Sequence, residues 1–282
     1  MESYEKKHII LYIIEVTILR IQIIGLGVVG SAQAYLMSKL GHDVFGYDIN
    51  TEKYQSIKRI VEDIVLLDRP KKDVDITFIC TPECTIEEVI SKLIDEKIEG
   101  LYVIRSTLPV GTTIRLIKKY NKHICHNPEF LREKHAFEDV IRPSRIVIGE
   151  CCKTHGDILE KLYEPLDVPI FRTDPTSSEI IKLVSNVMRS MMISFWNTIY
   201  LLCQRVGADI NIIAEAADPS KVIGVWEGGK WGTRFFGKPY GGKCLPKDIK
   251  HMIRVLKEYN IDSSLLESVE KINKIISGDK NE

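Results

Sequence analysis

The stretch that most restricts this chain is Ile18 to Gly30, where the apolar run ILRIQIIG ends in glycine and continues as Gly25-Leu-Gly27-Val-Val-Gly30. β-Branched residues crowd the run, which suits a buried strand, and Val28 to Leu40 reads as a helix that Gly41 can stop. Each glycine at the junction has a separate task. The first permits the tight turn, the second lets a pyrophosphate approach the backbone, and the third lets the helix lie close to the strand. Free N–H groups at the start of the helix then hold phosphate oxygens. Asp48 closes the next strand, Asp43 to Tyr47, 18 residues beyond Gly30. A carboxylate there can take both ribose hydroxyls and would repel a 2′-phosphate, so the pattern predicts NAD rather than NADP, held on Gly25, Gly27, Val29, Gly30 and Asp48.

The alternation continues. Thr51 to Ile60 reads as a polar-faced helix, and Asp75–Cys80, Leu101–Arg105 and Arg145–Ile148 read as further strands with helical stretches between them. Strand–helix alternation at this spacing predicts an α/β fold, a Rossmann-type doubly wound parallel sheet covered on both faces. After Arg172 the texture changes. Ser177 to Val206 is nearly unbroken helix former ending at Gly207, about 45 Å long at the α-helical rise and able to cross between domains. The remainder is mostly helical apart from the glycine-rich stretch 224–242. The expected organisation is an extension over 1–17, a cofactor domain over 18–172 and a mainly helical central domain over 173–282.

Lys plus Arg number 39 and so do Asp plus Glu, which removes any global drive toward nucleic acid or an anionic membrane. Seven cysteines with no CxxC pair argue against a disulfide framework and against a thiolate zinc site, and favour a reducing, cytoplasmic setting. The apolar run His8 to Ile14 is cut by Glu15, too short for a bilayer span. A short export signal is one reading of it; an added strand, helix or upstream extension is the favoured one.

Chemistry concentrates in Tyr240-Gly-Gly-Lys-Cys244-Leu-Pro-Lys-Asp248. Pro246 suits the first turn of a helix that carries Ile249 to Tyr259. A thiol at a helix N-terminus beside lysines is expected to have a lowered pKa and to be a nucleophile at neutral pH. Asp248, one turn on, can hold a water. On the long helix, Glu179, Lys182 and Asn186 are spaced by three and four residues and share a face. Lys182 and Asn186 can point together into a site and stabilise an oxyanion. The plain alternative is an exposed Glu179–Lys182 ion pair.

Four stretches, the IGLGVVG turn, Ser106-Thr107-Leu-Pro-Val-Gly-Thr-Thr, Asn127-Pro-Glu129-Phe-Leu-Arg-Glu133 and GGKCLPKD, resemble the UDP-glucose/GDP-mannose dehydrogenase family, in the family's order and from about Leu19 to Ile275. The resemblance implies oxidation of a nucleotide sugar's C6 alcohol to the carboxylate in two NAD-dependent steps, with Cys244 carrying a thiohemiacetal and then a thioester. It implies Lys53, Thr81, Thr107, Glu133 and Lys247 at the cofactor beside the glycine turn. It implies Thr107, Glu129, Lys182, Asn186, Cys244 and Asp248 at the reacting carbon. Glu129, Phe130, Leu131, Lys182, Asn186 and Gly241 would line the sugar pocket. Asp248 with its water, or Lys182, is the candidate base.

The chain also departs from the family. A third, nucleotide-gripping domain is expected to be lacking, so that a shortened chain, a partner chain or a different substrate are all open. Gly228 stands where the family has arginine, with Arg234 as a substitute for sugar binding, and Pro239 replaces a glycine. The Asp48–Asp75 connection is short. Alternatives are a single-step β-hydroxyacid dehydrogenase using Lys182 and Asn186, and a non-catalytic or partner-dependent NAD-binding subunit. Phe195, Trp196 and Tyr200 suggest packing along the long helix in a homodimer. His123 and His126 have no evident third ligand, so no metal is expected, and Cys151-Cys152 reads as a loop pair without chemistry.

Overall fold

The glycine-ended strand sits at the centre of the sheet, as its buried, β-branched composition requires. The computed structural model describes residues 18–217, 237–260 and 262–278. Eight strands, β1 (Arg20–Ile24), β2 (Asp43–Tyr47), β3 (Val65–Leu66), β4 (Ile76–Ile79), β5 (Leu101–Ile104), β6 (Ile124–His126), β7 (Ile146–Gly149) and β8 (Ile170–Thr173), pair in the order 3-2-1-4-5-6-7-8. The sheet is parallel except between β6 and β7, whose His126–Gly149 pairing is antiparallel. The doubly wound parallel sheet expected from the sequence is present, with this one pairing as its exception. The physical reason is that the chain turns back: Asn127, just past β6, donates from Nδ2 to the Val147 carbonyl in the middle of β7 at 2.7 Å.

The helices α1 (Val28–Lys39), α2 (Lys53–Lys58), α3 (Ile86–Asp95), α4 (Thr112–Tyr120), α5 (Ala136–Ile141) and α6 (Lys153–Tyr163) cover the sheet. One face packs Ile21, Ile23, Leu36, Met37, Phe78 and Tyr163, and the other packs Ile24, Ile79, Ile90, Tyr102, Ile104 and Leu116. Successive residues of a strand point to opposite faces, which is why β1 contributes to both layers.

Next comes α7 (Pro175–Val206), 32 residues long. Asp174 caps it by accepting the Ser177 amide at 2.9 Å, Pro175 opens it, and Gly207 at φ +72° ends it. Its first half lies against β6, β7 and α4, and its second against α9 (Leu245–Glu258) and α10 (Ser264–Ser277), with α8 (Ile210–Ala216) at its end. Val187, Ile193, Tyr240, Ile249, Ile253, Leu266 and Val269 form a third apolar cluster there. Each such side chain contributes about 1.5–3 kcal/mol on full burial. Among the described residues, no helix is long and apolar enough to cross a membrane.

Candidate active site

The glycine turn has the strain that its residues imply. Gly25 sits at φ +89°, and a Cβ there would press on the Cys80 carbonyl and the Thr81 methyl. A Cβ on Gly30 would overlap the Gly25 carbonyl oxygen, so the third glycine seats α1 on β1. Gly27 caps α1, and a Cβ on it would meet nothing, which leaves its backbone open to an incoming group. Asp48 is buried and braces the turn. Its Oδ2 accepts the Leu26 amide at 2.7 Å and Lys53 Nζ at 2.8 Å, and its Oδ1 accepts the Asn50 amide at 2.8 Å. Burial pushes the Asp48 carboxyl up, but Lys53 and the two amides outweigh it and hold the pKa below the usual carboxylate range. Thr81, at the end of β4, buries an Oγ1 without a hydrogen-bond partner beside Gly25. An open helix N-terminus, an ionised acid and an orphaned hydroxyl fit a dinucleotide.

A second cluster forms where α7 crosses the end of β6. Lys182 is buried, and its Nζ donates to the Glu129 carbonyl at 2.6 Å and to Glu129 Oε1 at 3.0 Å. Glu129 Oε2 accepts the Leu131 amide at 2.6 Å. Burial raises the Glu129 pKa, yet Lys182 and the Leu131 amide bring it below the ordinary value. Phe130 lies under the Arg145 guanidinium at 4.0 Å, with Lys182 Nζ 5.3 Å from the ring centre. One turn along α7, Asn186 Nδ2 donates to Asp248 Oδ2 at 2.6 Å. Asp248 is fully buried. Its Oδ1 has no hydrogen bond and lies 3.4 Å from Lys247 Nζ.

Cys244 caps α9, its carbonyl accepting the Asp248 amide at 2.9 Å. Cys244 is an exposed residue. Its pKa is raised rather than lowered: partial burial comes first, then the Glu129 and Asp248 carboxylates, which together outweigh Lys182 and Lys247. This corrects the expectation from the helix terminus and neighbouring lysines. Cys80, beside the glycine turn, is more extreme, with burial pushing its thiol up to about 12.

The two clusters are joined by ion pairs. Lys247 Nζ comes within 3.9 Å of Glu83 Oε2, and His251 Nε2 within 3.6 Å of the same oxygen, so α9 docks on the loop that follows Thr81.

Two matches with known proteins cover most of the chain. Residues 66–167 match the NAD binding domain, and 176–275 the central domain, of the UDP-glucose/GDP-mannose dehydrogenase family. The chain is 31% identical to the UDP-glucose 6-dehydrogenase YwqF of Bacillus subtilis, over 90% of its own length and 66% of the relative's. It is 30% identical to the GDP-mannose 6-dehydrogenase of Pseudomonas syringae pv. tomato, over 90% and 68%. The chain belongs to the UDP-glucose/GDP-mannose dehydrogenase family. A solved UDP-glucose dehydrogenase from Pyrobaculum islandicum superposes with a TM-score of 0.79 at 27% identity, covering 92% of this chain and 68% of that one. The chain thus spans about two thirds of the length of these family members, and just under that, 66% and 62%, for the two Bacillus subtilis relatives. The cofactor is NAD, in keeping with the family's NAD binding domain.

Measured against the family pattern, the structure gathers Glu129, Phe130, Lys182, Asn186, Cys244, Lys247 and Asp248 into one region. Thr107 is buried just past the end of β5, next to Ser106, whose Oγ donates to the Thr81 carbonyl at 2.5 Å. Leu131 packs into the sheet's core, while Glu133 and Gly241 are exposed. Arg234 and Gly228 lie outside the described residues. Glu179 leaves the site altogether. It is buried and accepts from the Gly111 amide at 2.6 Å, the Thr113 amide at 2.7 Å and Thr113 Oγ1 at 2.6 Å, so it tethers α7 to the start of α4 and makes no pair with Lys182.

Three sets of supports were missed in the sequence. Arg105, buried at the end of β5, donates to the carbonyl and side-chain oxygens of Asn127, which also accepts from Tyr163. His126 is wedged between Ser178 Oγ at 2.9 Å and the Ser106 carbonyl at 3.2 Å. Asn197 and Asn273 grip the backbone at Gly237, Lys238 and Tyr240, holding the segment that leads to Cys244. The only signal for any of these was polar residues at apolar positions, which does not name a partner.

Proposed function

We propose that the chain oxidises the C6 alcohol of a nucleotide sugar to the carboxylate, with the sugar held on Cys244 between two oxidations. Residues 18–172 would hold the cofactor and 173–282 would present the thiol. The observation that carries this reading is the donor pair on α7. Lys182 Nζ spends two N–H groups on Glu129 and Asn186 Nδ2 spends one on Asp248, which leaves each nitrogen one N–H for a substrate oxygen. Two donors one helical turn apart, in a buried setting, suit the oxyanion that forms whenever a nucleophile adds to a carbonyl.

Bound NAD supplies the hydride acceptor for each oxidation, held by Gly25, Gly27, Val29, Gly30, Asp48, Lys53, Thr81, Thr107, Glu133 and Lys247. In the first oxidation a hydride leaves C6 and a base takes the hydroxyl proton, giving the aldehyde. The Cys244 sulfur then bonds to the aldehyde carbon. Its raised pKa means a base must take the thiol proton, and Asp248 Oδ1, one turn away and without a hydrogen bond, is suited to this directly or through a water. Loss of the second hydride from the thiohemiacetal gives a thioester, and water cleaves the C–S bond to release the carboxylate and the thiol. In sum, an alcohol and one water become a carboxylate, two hydrides and three protons. Glu129, ionised beside Lys182, is the second candidate for activating that water. Phe130, Leu131, Gly241 and Arg234 are assigned to the sugar pocket.

The raised thiol also favours a second reading, a single oxidation by Lys182 and Asn186 without a covalent step. Stoichiometry separates them. Purified protein is assayed for NADH against UDP-glucose, UDP-N-acetyl sugars and GDP-mannose, with Cys244→Ser beside it. The covalent reading expects about two NADH per sugar, falling to about one with trapped aldehyde in the variant. Two NADH from the variant removes the covalent role, and no turnover with any sugar removes the reading. A homodimer along α7 is part of the same proposal, since Ile180, Val184, Met188 and Phe195 present exposed apolar side chains on it.

A further inference from the structure

At the far end of β6 from Glu129, four side chains meet that span positions 123 to 155 of the sequence. His123 precedes β6, Cys151 and Cys152 lead into α6, and His155 lies in its first turn. One ligand atom from each lies within 4.8 Å of all the others. His123 Nδ1 is 3.8 Å from Cys151 Sγ, and His155 Nδ1 is 3.6 Å from Cys151 Sγ and 3.0 Å from Cys152 Sγ. The two imidazoles sit with centroids 4.4 Å apart. In the sequence His123 stands three residues from His126 with no evident third ligand. The fold instead buries His126 under α7 and brings His123 to the two cysteines, because β7 returns antiparallel beside β6 and carries Cys151 to the strand's start.

We propose that His123, Cys151, Cys152 and His155 bind one zinc ion in a closed, structural site. Zinc takes thiolate at about 2.3 Å and imidazole at about 2.0–2.1 Å in a tetrahedron, so its S···N edges are about 3.6 Å. The three S···N separations here, 3.0, 3.6 and 3.8 Å, bracket that edge. Two thiolates and two imidazoles are a borderline-soft donor set that disfavours calcium and magnesium. Four protein donors leave no position for a substrate, hence the structural assignment. Cys125 lies outside the tetrad, its Sγ 3.7 Å from Cys151 Sγ and far beyond a disulfide bond, so Cys151 is a free thiol available to a metal. His123 is exposed and the other three are half-buried, so an ion can enter from solvent. The site would staple the β6–β7 junction, where the sheet has a single antiparallel pairing, and so hold β7, β8 and α6 to the strand that delivers Glu129.

The test uses the full chain without a histidine tag, purified under a phosphine reductant and dialysed against a weak chelator. Elemental analysis is expected to find about one zinc per chain, lost in Cys151→Ser/His155→Ala and kept in Cys244→Ser. Cobalt(II) in place of zinc is expected to give thiolate-to-metal charge transfer in the near ultraviolet and strong tetrahedral ligand-field bands. Should the double variant fail to fold, the cobalt spectrum of the wild-type chain decides alone. No zinc above the variant's level, no charge-transfer band, loss of the metal in Cys244→Ser, or a Cys125–Cys151 disulfide in the reduced preparation would each overturn the site.

Discussion

Asn186 donates to Asp248 Oδ2 at 2.6 Å, and this bond joins the middle of the long helix α7 to the first turn of the helix that Cys244 caps. It ties one of the two donors on α7 to the helix that begins at the thiol. It also fixes which oxygen of Asp248 is left over for a proton or a water.

Removing it isolates a buried carboxylate. Asn186→Ala is expected to lower kcat about 10²–10³-fold, the usual cost of one oxyanion donor, and to destabilise the fold by about 1–3 kcal/mol. Asn186→Asp places two carboxylates together, so its activity is expected to recover as pH falls. Steady-state kinetics from pH 5 to 9 with urea unfolding check both. A change in KM alone would contradict the placement.

The thiol of Cys244 is predicted to be mostly protonated at neutral pH, since burial and the Glu129 and Asp248 carboxylates raise its pKa. Alkylation by iodoacetamide, followed by mass spectrometry of the Cys244 peptide, is expected to quicken with pH through a midpoint above that of an ordinary cysteine. Glu129→Gln removes one negative charge and leaves Lys182 less compensated, so its midpoint is expected to move down. An upward move would show that Glu129 does not face the sulfur.

His126 makes stability depend on acid. Burial lowers its pKa from 6.5 to about 3, so the unfolded chain binds the proton that the folded chain refuses. The sign follows: this contribution is whole above about pH 6.5 and is lost as pH falls from there toward 3, at about 1.4 kcal/mol per pH unit. Urea unfolding at pH 7, 6 and 5 measures the slope, and His126→Asn is expected to flatten it. An equal slope in the variant would assign the acid sensitivity elsewhere.

Read as a string, the chain already contained the cofactor half. Gly25, Gly30 and Asp48 were legible because their constraints are local: a positive φ, a helix laid on its own strand, and a carboxylate at a strand end. The length of α7 and its glycine stop were legible for the same reason. The strands β3 and β6 were not, since two or three residues are too few to show a period; β8 was not, since its edge residues are only partly buried and half polar; and the antiparallel turn between β6 and β7 has no local marker.

Residue types and their spacing therefore determined the Rossmann-type half and the long helix, and singled out Cys244 as the candidate nucleophile. Only the tertiary structure decided what surrounds them. Helical spacing put Glu179, Lys182 and Asn186 on one side, yet packing sent Glu179 to the amides of α4 and the other two to Glu129 and Asp248. The thiol's pKa turned on its burial and on a carboxylate at Glu129, far away in sequence, and the His123 cluster on a strand reversing its direction. Hydrogen bonds and charges act over a few ångströms of space, and the chain sets those distances only once it has folded.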